Sequence, residues 1–243
     1  MKVYEFNISK GIYIFNFDSL DTAFHSHPAI EIVSARKGTF TLWTEHTKII
    51  GLTFAVIQAN EKHKISSADC DVHVTMIEHH TKFVTDILSH YGINMLNGLY
   101  FQTSSKKAEN ITQEIYERIM NSDIIMEYDD RILATINYLS KNDLEYDQMI
   151  TTLKKITNLS ESRLSHLFKA NLGISLKRYL VWTKLKSTIK QHLFQKDNLF
   201  DSLIKSGFYD HPHFSKNFKA MLGVKASKAY NSRTLQVLPV IPS

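Results

Sequence analysis

Cysteine is almost missing from this chain, and the single thiol, Cys70, excludes an internal disulfide and any zinc centre built on paired cysteines. A lone thiol of this kind reads as a small core hydrophobe. No apolar run approaches the roughly 20 residues that a membrane-spanning helix needs. Glycine (8) and proline (4) are too scarce for a collagen-like or low-complexity chain, while 43% apolar residues supply a packed core. There is no phosphate-cradling loop, and no nucleophile stands beside a base at a recognisable spacing, so the chain reads as a binding protein and not as an enzyme. The opening MKVYEFNISKGIYIFNF has neither the long apolar stretch nor the small-residue cleavage site of a secretory signal, which points to a cytoplasmic protein without membrane association. A length of 243 residues fits two domains of ordinary size.

Acidic residues are also scarce, but only at one end. Residues 1–147 hold 13 Lys and Arg against 20 Asp and Glu, whereas residues 148–243 hold 16 against 4, so the two parts carry −7 and +12. Basic side chains spread along helical patterns suit the neutralisation of a polyanion, for which nucleic acid is the usual candidate. The alternative is an idle solvated surface.

The basic part contains a repeat: SHLFKANLG at 165–173 returns as SKNFKAMLG at 215–223, agreeing at six of nine positions. Its surroundings read as helices. Ile132, Leu133, Ile136 and Leu139 share one face, as do Met149, Ile150, Leu153 and Ile156 on the next helix. Ser160 is placed to cap a third helix that turns Leu164, Leu167, Phe168 and Leu172 inward and ends at Gly173. In the second copy Leu199, Phe200, Leu203 and Ile204 form a short buried face, Gly207 makes the turn, and Asp210 caps a helix burying Phe214, Phe218, Met221 and Leu222. Between the copies, LKRYLVWTKLKSTIKQHLF reads as one long helix with Tyr179, Leu180, Leu185, Ile189 and Leu193 on its buried side. Two helix-turn-helix units on a rigid connector can present two helices to successive major grooves, about 34 Å apart.

Residues 129–233 resemble the DNA-binding domain of the AraC/XylS family of bacterial transcription regulators, through LSESRLSHLFKANLGIS at 159–175 and SGFYDHPHFSKNFKAMLG at 206–223. The Gly207-Phe208 pair with Phe214 and Phe218-Lys219 behind it is the more diagnostic part. The resemblance implies an activator-type regulator whose partners are double-stranded promoter DNA and RNA polymerase. It assigns base contacts to Ser162, Ser165 and His166 on the first recognition helix and to His211, Pro212, His213, Ser215 and Lys216 on the second. Arg163, Lys169 and Lys219 lie on the same outward faces and complete the DNA-binding set.

The acidic part alternates apolar and polar residues in short runs, GIYIFNF, FTLWTEH, FAVIQ and VHVTMIEH, which predict antiparallel strands of a barrel or sandwich. Within it His25, His27 and Glu31 follow H-x-H-x3-E-x6-G up to Gly38, with His63 downstream. This spacing is similar to the first cupin motif. If residues 25–31 form a strand, alternation puts His25, His27 and Glu31 on one face, and His63 arrives from a neighbour. These four are the candidate effector pocket. In regulators of this family such residues line a small-molecule site without metal, so no cofactor is expected; a transition metal on the same four residues is the alternative. Two helical patterns follow, KFVTDILSHYGI and ENITQEIYERIM, the second with Ile111, Ile115, Tyr116 and Ile119 on one stripe. That stripe serves core packing or a homodimer equally well.

The expected fold is therefore α+β in two domains. Residues 1–128 form a cupin-like antiparallel barrel with following helices, residues 129–233 an all-α DNA-binding domain with two helix-turn-helix units, and residues 234–243 a tail. Competing readings are a metal-dependent cupin enzyme with a basic helical appendage and a DNA-packaging protein without sequence preference.

Overall fold

The structure, a computed structural model, describes residues 1–68, 70–78, 81–103, 108–121, 128–142, 146–195, 197–229 and 236–237. These divide into two compact units, one drawn from 1–124 and 219–243, the other from 125–218.

The first unit holds β1 (Lys2–Asn7), β2 (Ile12–Phe17), β3 (Leu20–Asp21), β4 (Ile30–Lys37), β5 (Phe40–Thr44), β6 (Lys48–Leu52), β7 (Phe54–Ile57), β8 (His63–Ser67), β9 (Asp71–Ile77), α1 (Thr81–His90), β10 (Leu99–Gln102) and α2 (Ala108–Asn121). The strands form two sheets, ordered β10-β7-β4-β9-β2-β1-β11 and β3-β8-β5-β6, where β11 is Gln236–Val237. The expected barrel is thus not closed. Pairing is antiparallel except for β11, which lies parallel to β1. Of the tail, only these two residues lie among those described.

Alternation along β4 determines what each face does. Ile30 and Ile32 join Ile12, Ile14, Phe54, Val56 and Ile77 in one apolar core, covered by Val84, Ile87 and Leu88 of α1 and Ile111, Ile115 and Ile119 of α2. The stripe on α2 is therefore occupied in core packing. Glu31, between two core residues of β4, is directed to the opposite face of the sheet. Cys70 is buried, and burial, helped by Asp71, pushes its thiol pKa up, as befits a core hydrophobe.

The second unit is helical. Its elements are α3 (Asp130–Lys141), α4 (Tyr146–Thr157), α5 (Glu161–Leu172), α6 (Leu176–Phe194), α7 (Leu199–Lys205) and the start of α8 (His211–Leu222), which is followed by α9 (Ala226–Ala229). Local chemistry sets the boundaries. The hydroxyl of Ser160 accepts from Arg163 N–H, that of Ser175 from Arg178 N–H, and the Asn198 side chain from Asp201 N–H. Gly173 (φ 70°) and Gly207 (φ 80°) close helices in the left-handed region.

Several faces differ from those the periodicity predicts. On α3 Thr135 joins Ile132, Ile136 and Leu139 in the interior, and Leu133 is only half-buried. On α4 Thr157 is buried beside Met149, Ile150 and Leu153 while Ile156 is exposed, because the step of four from Leu153 stays on the packed stripe and the step of three leaves it. On α7 Phe200 and Ile204 are exposed and Ser202 and Leu203 point inward, as do Ser206 and Phe208 just beyond it. The connector α6 is buried well beyond one side: Trp182, Thr183, Lys184, Lys186 and Thr188 are interior too, because α3, α5 and α7 all pack against it. Ile189 and Leu193 are half-buried.

Candidate DNA-reading helices and buried histidine–carboxylate cluster

The sequence repeat is also a structural one. Residues 161–170 and 211–220 carry the same burial order position by position: three exposed, one buried, one partly buried, one exposed, one partly buried, one buried, two exposed. The buried positions are Leu164 and Phe168 in the first copy and Phe214 and Phe218 in the second. Phe168 packs edge-on against Tyr179 at 5.2 Å between ring centroids. Phe214 sits 5.3 Å from Phe208 and 5.5 Å from Phe218. These rings fix how far each helix can rotate, and so which residues it presents.

In α5 the presented residues are Ser162, Arg163, His166 and Lys169, all exposed, with Ser165 partly buried. In α8 they are His211, Pro212, His213, Lys216 and Lys219, with Ser215 partly buried. Asp210 starts α8 by accepting from His213 N–H through its carboxylate at 2.7 Å. Pro212 is the second residue of that helix, where a missing N–H costs nothing. The Ser215 hydroxyl lies 3.2 Å from His211 Nδ1. Tyr209, 74% exposed and 6.0 Å from the His213 ring, extends this surface, and its signal in the sequence is an aromatic just before a helix cap.

The four expected pocket residues do come together, by a route other than strand alternation. His25 makes an isolated bridge with His63, its N–H donating to the His63 carbonyl at 2.9 Å, and His27 lies outside any strand, next to Pro28. Glu31 comes from β4 of the larger sheet and His63 from β8 of the smaller, so the cluster bridges the two sheets. Nε2 of His27 and of His63 stand 3.0 and 2.8 Å from the same oxygen, Glu31 Oε2. All four residues are buried, none more than 5% exposed. Each offers one ligand atom, and these atoms lie within 4.8 Å of one another.

The electrostatics are strongly coupled. Burial raises the Glu31 pKa, but His63 and the hydrogen bonds from His27 and His63 outweigh it and hold the carboxyl well below its usual range. For His63 burial acts downward and the Glu31 carboxylate more than reverses it, so its pKa is raised. Burial, reinforced by His63 and His27, lowers His25 to about 3. The chemistry of the donor set, three imidazoles and one carboxylate, fits a divalent transition ion.

Comparison with known proteins adds to this geometry. Residues 153–231, about a third of the chain, match the helix-turn-helix domain family. No curated protein matches the chain. The fold is similar to that of ToxT from Vibrio cholerae in three crystal structures. An apo point variant is 14% identical with a TM-score of 0.53, covering 90% of this chain and 96% of that one. A second form is 12% identical with a TM-score of 0.52, covering 89% and 96%. A form bound to an unsaturated fatty acid is 14% identical with a TM-score of 0.50, covering 89% and 93%. No described helix is long and apolar enough to cross a membrane. The matched domain and the twofold repeat agree: this chain carries a helix-turn-helix DNA-binding domain at residues 153–231, in a β-then-α fold similar to that of ToxT.

Proposed function

We propose that the chain reads promoter DNA in two successive major grooves, through α5 and α8, and that occupancy of the His25, His27, Glu31 and His63 cluster sets its affinity. The single observation that carries the reading is the repeat of exposure, 161–170 against 211–220, with hydrogen-bonding side chains on each outward face. Ser162, Ser165 and His166 on α5, and His211, His213, Ser215 and Lys216 on α8, are the base-reading set. Arg163, Lys169 and Lys219 neutralise phosphates. Pro212 shapes the start of α8 and positions its neighbours. The DNA-binding domain spans 129–233, the sensor 1–128, and the protein works in the cytoplasm with RNA polymerase as its partner. A homodimer, if formed, uses a surface other than the buried α2 stripe.

A small molecule bound to the cluster can regulate only by favouring one arrangement of the protein over another, and the coupling must be reciprocal. The ToxT form with a bound unsaturated fatty acid is a precedent for small-molecule binding by a protein of similar fold. The enzyme alternative is disfavoured because the basic helical part is itself the matched DNA-binding domain and not an appendage.

The test is competition. Full-length protein is offered labelled promoter fragments against an excess of random-sequence DNA, over a range of salt. Specific retention, with affinity falling as for roughly 6–10 phosphate contacts, supports the reading. Equal displacement by both competitors assigns the chain to DNA packaging.

A further inference from the structure

We infer that Tyr209, at the leading end of α8, is a specificity-determining residue that reads the 5-methyl group of thymine, so that the second unit selects thymine by a contact the first unit lacks. The inference rests on the reading above that α8 enters a major groove; what Tyr209 meets there follows from the turn that precedes the helix.

The two turns differ by one residue. In the first unit the left-handed residue Asn158 (φ 53°) is separated from the capping Ser160 by Leu159 alone. In the second, both Phe208 and Tyr209 stand between the left-handed Gly207 (φ 80°) and Asp210. Phe208 fills the interior, being 2% exposed with its ring 5.3 Å from that of Phe214. The additional residue is left outside, and Tyr209 is accordingly 74% exposed. On α5 the outward positions Ser162, Arg163, His166 and Lys169 all carry hydrogen-bonding side chains, with no tyrosine, phenylalanine or tryptophan among them.

Tyr209 lies on the reading side of α8. Its ring is 6.0 Å from that of the exposed His213 and tilted from it by 38°, while His213 also meets Phe208 edge-on at 5.5 Å. The His213 N–H donates to the Asp210 carboxylate at 2.7 Å, which pins the first turn of α8 next to Tyr209. That turn is the part of a recognition helix that meets base edges.

Chemistry then selects the base. In the major groove adenine, guanine and cytosine offer only donors and acceptors at their edges, and thymine adds an apolar methyl group. A ring face returns no hydrogen bond to the first three, whereas against the methyl both surfaces leave water together. The other contact open to a tyrosine is a hydroxyl-to-phosphate bond, which carries no sequence information.

The experiment lets full-length protein select its preferred duplex from a random pool, and the half-site under α8 is located as the footprint weakened in Lys216→Ala. Each thymine in that half-site is then replaced by deoxyuridine, which removes the methyl group and nothing else. The parent should lose about fourfold in affinity at one such position, the worth of one buried methyl group. Tyr209→Phe keeps the ring and should keep this loss. Tyr209→Ala should bind the thymine and deoxyuridine duplexes alike, with the salt slope of the parent, and deoxyuridine in the other half-site should affect parent and Tyr209→Ala equally. Because the side chain is largely outside the fold, both variants should melt as the parent does. An α8 half-site without thymine, equal deoxyuridine losses in parent and Tyr209→Ala, or a Tyr209→Phe variant as weak as Tyr209→Ala with a shallower salt slope overturns the thymine contact while the two-groove reading stands. A pool from which no sequence emerges overturns that reading, and this inference with it.

Discussion

Phe168 and Lys169 are neighbours in sequence and opposites in environment, so replacing each by Ala separates what holds α5 in place from what α5 does. Phe168 is 0% exposed and meets Tyr179 edge-on at 5.2 Å. Truncation to Ala should cost about 3–5 kcal/mol, of which the aromatic pair supplies about 0.5–1.5. Against a total of about 5–15 kcal/mol for a domain, that loss shifts the helical unfolding transition far toward lower urea. Lys169 is exposed, and its loss should leave stability within about 0.5 kcal/mol. In DNA binding the ranking reverses in kind. Removing one phosphate contact lowers the salt slope by about 0.9, equivalent to an affinity loss of roughly eightfold at 0.1 M salt, alike for promoter and random DNA. Urea titration followed by circular dichroism and fluorescence anisotropy at several salt concentrations measure both. Phe168→Ala melting within about 1 kcal/mol of the parent, or Lys169→Ala with an unchanged salt slope, refutes the assignment of faces.

Other outcomes follow from individual residues. His166→Ala should relax preference at one or two base pairs at a cost of about 1–3 kcal/mol, read by binding to single-substituted sites; uniform weakening would make it a phosphate contact. Gly207→Ala places a Cβ 2.9 Å from Lys184 Nζ at φ 80°, and Lys184 Nζ donates to the Gly207 carbonyl at 2.7 Å. A loss of at least about 1 kcal/mol is expected by urea titration, and a neutral result would show that the turn tolerates a side chain. His73 is lowered to about 4 by burial, with Arg36 adding to it against Asp71. Its neutral form is favoured by folding, so its contribution is full above pH 6.5 and is lost as pH falls toward 4. Between pH 7 and 5 that is about 2 kcal/mol, absent in His73→Gln, and equal pH dependence of the two proteins would contradict it.

What the sequence displayed was local. Ser160, Gly173, Gly207 and Asp210 announce helix ends because caps and left-handed turns are settled within a few residues, and each stands where expected. The repeat announced two equivalent helices because packing the same apolar positions inward turns the same positions out. What failed was tertiary. Phe200 and Ile204 have the spacing of a buried face yet are exposed; α7 packs against α6, and the buried residues in and just after it are Ser202, Leu203 and Ser206. Lys184 and Lys186 are interior because helices pack α6 from more than one side, which periodicity in α6 itself cannot show. The histidine motif was legible as spacing, but its geometry was not. Pro28 keeps His27 out of a strand, and the approach of His63 depends on pairing between residues 38 apart, at His25 and His63. The strands themselves were legible, whereas their division into two sheets is set by long-range register.

The central claim, that two equivalent helices read two adjacent grooves, is tested most directly by hydroxyl-radical footprinting of full-length protein on a selected site. The expected pattern is two protected patches on one side of the duplex, about 10 base pairs apart. The double variant Ser162→Ala, His166→Ala should lose one patch, and His213→Ala, Lys216→Ala the other. A single patch, or two patches that fade together in both variants, would contradict the claim.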